Sequence, residues 1–146
     1  MRLILLVLLL LVPVGAGAQS VDQILASAAA DCAAYDNGVF EMLSPVTEVD
    51  LTGDGITETV LDEGTFGCST SATLYGGTGG SMIHVISGDR DRSWLARSWT
   101  VIDWDGTQVL LFYLHGSECF GAGVQPCVEA LVWGGEDFVS VRTPPG

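Results

Sequence analysis

Residues 94–115 read WLARSWTVIDWDGTQVLLFYLH, and this stretch decides the fold. Two runs rich in β-branched and aromatic residues, Trp94–Asp103 and Gln108–His115, flank the dipeptide Asp105-Gly106. Asp and Gly both tolerate positive φ, which a tight two-residue hairpin turn demands, so the stretch predicts two antiparallel strands. The same two-residue period extends outward in both directions. It predicts further strands at Val39–Leu43, Thr47–Val49, Glu58–Leu61, Ser81–Ser87, Val128–Trp133 and Phe138–Arg142. Turn-forming clusters separate them: Gly53-Asp54-Gly55, the glycines between Gly76 and Gly80, Ser87-Gly88-Asp89 and Gly134-Gly135.

One segment keeps a helical period. Ser20 and Gln23 form a capping box, Ile24, Leu25, Ala28, Cys32 and Tyr35 recur on one side, and Asn37-Gly38 is a stop signal. The expected fold is therefore α+β and mainly β: an N-terminal helix packed on an antiparallel sheet of about six to eight strands.

Ahead of that helix, Met1-Arg2 precedes an unbroken apolar run from Leu3 to Val12 and the small-residue stretch Gly15-Ala16-Gly17-Ala18. This is the pattern of a secretory signal peptide cleaved after Ala18. The run is shorter than the ~20 residues that cross a bilayer. Gln19, not Cys, follows the cleavage point, so no lipoprotein anchor and no stable membrane anchor after cleavage are expected. The expected organisation is a signal peptide at 1–18 and a single domain at 19–146, working in the periplasm or outside the cell.

The chain carries 18 acidic residues against five arginines and no lysine, for a formal net charge of −13. Phosphate binding needs clustered cations, so nucleic acid is excluded as a partner. Such a surface favours a basic protein or a cell-envelope component. Four cysteines in an exported chain predict disulfides. Cys119 and Cys127 flank a short Gly/Pro loop and pair locally, which leaves Cys32 with Cys68.

Chemistry concentrates in Asp50-Leu51-Thr52-Gly53-Asp54-Gly55-Ile56-Thr57-Glu58. Oxygen donors fall at Asp50, Thr52, Asp54 and Glu58, and the carbonyl of Ile56 stands where calcium loops supply a backbone ligand. Calcium takes six to eight hard oxygens, and a glycine at the sixth position turns the chain around the ion. The segment resembles the first nine positions of an EF-hand loop and, more closely, the D-x-[ND]-G-D-G-x-x-[DE] loop of FG-GAP repeats. That resemblance implies Ca2+ held by Asp50, Thr52, Asp54, Ile56 and Glu58. Thr52 replaces an Asp or Asn and Leu61 stands at the bidentate Glu position, so affinity in the ~10⁻⁴–10⁻³ M range is expected.

Other groupings are weaker. His115, Ser117, Glu118 and Cys119 gather nucleophile and base types at one strand end, but neighbours in sequence rarely orient each other for attack. His84 alternates with Ile83 and Val85 and reads as a surface or cross-strand polar residue. Glu41, Glu48, Asp62 and Glu63 are candidates for a glycosidase carboxylate pair, and Trp94, Trp99, Trp104 and Trp133 for a sugar platform. The leader, the DLTGDG loop, the Gly-rich segment and the ending HGSECFGAGVQPCVEALVWGGEDF resemble a group of small exported proteobacterial proteins, a likeness that implies no activity. The expected function is an exported, non-enzymatic binding domain stabilised by calcium. The alternatives are an inhibitor of a basic cell-wall hydrolase such as lysozyme, or a secreted polysaccharide hydrolase.

Overall fold

The structure, a computed structural model, describes residues 19–142, the last by its backbone alone. The leader assigned to 1–18 and the tail 143–146 lie outside the described residues. The described residues form helix α1 (Val21–Ala34) and eleven strands. These are β1 (Phe40–Met42), β2 (Thr47–Val49), β3 (Glu58–Asp62), β4 (Phe66–Cys68), β5 (Gly76–Gly77), β6 (Gly80–Ser87), β7 (Arg90–Ala96), β8 (Ser98–Trp104), β9 (Thr107–Tyr113), β10 (Val128–Trp133) and β11 (Phe138–Arg142). Every described pairing is antiparallel. The α+β, mainly-β class is as expected.

The strands divide among three sheets rather than one. A five-stranded sheet runs β2-β3-β6-β5 with β7 also on β6, a four-stranded sheet runs β11-β10-β9-β8, and β1 pairs with β4 alone. Alternation along each strand builds the layers. Val60, Ile83 and Val85 face the four-stranded sheet and meet Leu110, Phe112 and Leu131 in one core. Leu61, one residue on from Val60, faces the other way and meets Ile24 and Ala28 of α1 together with Phe66. The molecule thus layers helix on sheet on sheet.

Helix α1 begins as the sequence predicts. The Ser20 hydroxyl accepts from the Gln23 amide (3.3 Å), and the Gln23 side chain accepts from the Ser20 amide (2.8 Å). Its buried residues Ile24, Ala28 and Cys32 are four apart and so share one face. Two disulfides are present, Cys32–Cys68 and Cys119–Cys127, as the sequence predicts.

Trp94–Asp103 is not one strand. Arg97 interrupts it: the Arg97 amide donates to the Tyr113 carbonyl at 2.8 Å, and its Nε donates to Thr78 O at 2.9 Å. The chain leaves one sheet at Ala96 and enters the other at Ser98. Beyond this corner, Asp105 (φ 54°) and Gly106 (φ 80°) make the β8–β9 hairpin turn. Both central residues lie in the left-handed region, as a type I′ turn requires.

Candidate functional site

The Asp50–Glu58 loop joins β2 to β3, and its carboxylates are engaged with its own backbone. Asp50 accepts from the amides of Gly53 (2.7 Å) and Gly55 (2.9 Å), and Asp54 accepts from that of Ile56 (2.8 Å). Glu58 turns inward instead of towards the loop's outer face. It is 3% exposed and shares the face of Val60 at one end of the core between the sheets. Its Oε2 accepts from the amides of Leu51 (2.7 Å) and Thr52 (3.1 Å), and its Oε1 accepts from the Ser87 hydroxyl (3.2 Å). Thr52 Oγ1 is enclosed and has no hydrogen-bond partner, while Ile56 is exposed at the loop's tip. Among the described residues, no group of three or more His, Cys, Asp or Glu side chains is placed to hold a metal ion.

The second feature is the loop closed by Cys119–Cys127. Gly116 is packed so tightly that a Cβ there would overlap the Ala122 carbonyl, and a Cβ at Gly123 would overlap the His115 ring. Backbone and side-chain bonds brace the loop: Gly121 N to Gly116 O (3.0 Å), Ala122 N to Gln125 Oε1 (2.7 Å) and Leu114 N to Cys127 O (2.8 Å). On this braced frame Phe120 is 87% exposed and Val124 86% exposed. His115 Nδ1 lies 2.7 Å from Ser117 Oγ, within the reach that nucleophile activation requires. The surrounding amides are already used, Glu118 N by His115 O, Phe120 N by Ser117 O and Gly121 N by Gly116 O. Those three amides are not free to form an oxyanion hole, and the His115–Ser117 pair braces the loop entrance.

The third feature is a groove around Glu63 and Tyr75 that runs from the chain around β4 and β5 to the side of α1. Two cavities of about 450 and 400 Å³ and a smaller one of about 90 Å³ are each lined by Glu63 and Tyr75. Tyr75 is held by edge-to-face contacts with Phe40 and Phe66 and donates its hydroxyl to Ala28 O at 2.6 Å. Burial, then the charges of Asp31 and Glu63, push its phenol above the usual tyrosine range.

Beneath Glu63 lies His84, 7% exposed, a cross-strand polar residue as its alternation suggests but enclosed rather than at the surface. Its Nε2 meets Glu63 at 3.0 Å and its Nδ1 lies 3.6 Å from Asp91. Burial alone lowers its pKa. The hydrogen bond and charge of Glu63, then the charge and hydrogen bond of Asp91, outweigh burial and leave it raised. A raised folded-state pKa contributes stability fully present below the unfolded value of about 6.5 and lost as pH rises through the folded value. The melting temperature should therefore fall as pH rises through that interval, and His84→Gln should flatten the fall. An unchanged slope in the variant would assign the effect to another group.

The remaining sequence candidates do not assemble. Glu48 accepts from the hydroxyls of Thr57 and Thr59, Asp62 from Ser81 Oγ, Gly64 N and Trp99 Nε1, and Glu41 is exposed on β1. Trp94 stacks on Phe112 and Trp133 packs edge-on to Phe138, which leaves Trp104 as the one strongly exposed indole of the four. The grouping of Glu63, His84 and Asp91 was not read from the sequence. Its only signal was a histidine in an apolar strand, followed by charged residues that look like a solvated turn.

No family model, curated protein or solved structure matches the chain.

Proposed function

We propose that the protein is an exported binding domain that engages a cationic protein partner through the Cys119–Cys127 loop. The observation that carries this reading is the exposure of Phe120 and Val124 on a loop braced by a disulfide, close glycine contacts and internal hydrogen bonds. Large apolar side chains held rigidly in solvent lose little entropy on binding, and aromatic anchors dominate interface energetics. The net charge of −13 selects a basic partner and speeds the encounter. Inhibition of a basic cell-wall hydrolase is the form of binding that a rigid, projecting loop serves best.

Phe120→Ala should leave the melting temperature within about 2 °C of wild type, because the side chain is in solvent. It should weaken capture of lysozyme, used as a basic probe, by at least about tenfold. Equal capture by wild type and variant would refute the loop as the contact surface.

Calcium enters as a finer part of the reading. Glu58 is buried, so the ligands are Asp50, Thr52, Asp54 and the Ile56 carbonyl, with Asp50 and Asp54 sharing their oxygens with the amides of Gly53, Gly55 and Ile56; the unpartnered Thr52 hydroxyl supports this set. Two carboxylates give a dissociation constant of about 1 mM. At 10 mM calcium the gain is then about 1.4 kcal/mol, a shift of a few degrees relative to chelator. An unmoved melting temperature would remove the metal from the reading.

A further inference from the structure

The groove at Glu63 and Tyr75 lies apart from the loop that carries the proposed function, and its chemistry is different. Its two larger cavities, about 450 and 400 Å³, are of the size that takes small organic ligands. Their walls combine an aromatic face with short apolar side chains: Tyr75, Leu74 and, on one side, Leu43. Glu63 lines all three cavities, and Asp31, at the last turns of α1, lines two of them. Among the described residues, no arginine lines any of the three.

Among the described residues, the one basic group there is His84. It lines the smallest chamber, is more than nine-tenths buried, and its Nδ1 faces Asp91 at 3.6 Å. Even protonated, His84 brings one positive charge against the three carboxylates of Glu63, Asp91 and Asp31. The groove therefore keeps net negative charge beside an aromatic ring. Its key side chains are fixed: Glu63 by the 3.0 Å contact with His84, and Tyr75 by its bond to Ala28 O and by its two aromatic neighbours.

We propose that this groove binds an organic cation: a guanidinium or ammonium group on an aliphatic stem. The head group pairs with Glu63 and Asp31, and the stem lies along Leu74 and the Tyr75 ring. Carboxylates accept charge-assisted hydrogen bonds from such a head, and an aromatic face attracts it through its quadrupole. An anionic ligand is excluded by the same carboxylates.

The same chemistry is offered by a free small amine and by a basic side chain of a polypeptide, and calorimetry separates them. Three probes with blocked ends are titrated into the full chain: N-acetyl-arginine amide, its neutral isostere N-acetyl-citrulline amide, and the blocked tripeptide Gly-Arg-Gly. The arginine probe should saturate below about 10 mM, and the citrulline probe should bind at least about tenfold more weakly. Tighter binding of the tripeptide assigns the site to a polypeptide side chain; equal binding assigns it to a small amine.

Glu63→Gln should weaken the arginine probe at least about tenfold. Because that variant also disturbs His84, Asp31→Asn serves as a second one, its side chain being exposed on α1 and separate from the core. It should weaken the probe by about threefold to tenfold while the fold stays intact. Equal affinity for citrulline and arginine probes, or unchanged affinity in both variants, overturns the proposal. So does the absence of saturation. None of these results bears on Phe120, so failure here leaves the loop reading standing.

Discussion

Replacing Glu58 by Ala will destabilise the protein by about 3–4 kcal/mol, while Glu58→Gln will cost only about 1 kcal/mol. The difference follows from what the side chain does. Glu58 is buried at 3% exposure and closes the β2–β3 loop by accepting the amides of Leu51 and Thr52 on a single oxygen. Alanine leaves those amides without an acceptor next to buried Leu51, and each unsatisfied buried donor costs about 1–3 kcal/mol. Glutamine keeps a carbonyl oxygen for the amides and turns its NH2 towards the Ser87 hydroxyl, which can accept. Urea unfolding at neutral pH measures both variants. An Ala variant within about 1 kcal/mol of wild type would mean that the loop does not depend on this acceptor. The pair also tests the metal assignment. If calcium is held by Asp50, Thr52, Asp54 and Ile56 alone, the Gln variant keeps the calcium response.

Removing the Cys32–Cys68 bond by a double alanine substitution should cost about 3–4 kcal/mol and lower the melting temperature by roughly 10–20 °C. The bond closes a span of 36 residues, so its loss releases considerable chain entropy in the unfolded state. It also ties the fully buried Cys32, on the inner face of α1, to the small β1–β4 ribbon. A helix of this length is marginal alone, so helical circular dichroism should fall with the bond. Cys119–Cys127 closes a span of only 8 residues, and its removal should cost about 2–3 kcal/mol. That change should loosen the Phe120 loop and leave the helix signal unchanged. Equal loss of helix in both variants would show that Cys32–Cys68 has no special hold on α1.

The features legible in the sequence were those encoded locally. The capping box at Ser20 and Gln23, the Asp105-Gly106 hairpin and the strands at Thr47–Val49 and Val128–Trp133 depend on neighbours within a few residues. The disulfides followed from loop length and elimination. What escaped was non-local. β7 begins with Arg90-Asp91-Arg92, which looks like a solvated turn, yet Arg92 pairs with Asp137 and Arg90 lies over Trp133 from a different hairpin. β4 and β5 are short and glycine-bearing, and partners distant in sequence hold them. The inward turn of Glu58 escaped as well. Spacing alone places its oxygen near the loop, but the alternation that puts Val60 in the core puts Glu58 on the same side.

The corner at Arg97 also bears on how the molecule comes apart. A single residue separates the last pairing of β7 from the first of β8, so the two large sheets have no slack between them. Strain applied to one is passed to the other through one residue, Arg97, whose amide is itself tied to Tyr113. Amide protons at the centres of β6 and β9 should therefore exchange with solvent through the same opening event and report one free energy. A protease should find no cut site between the halves while the native state persists.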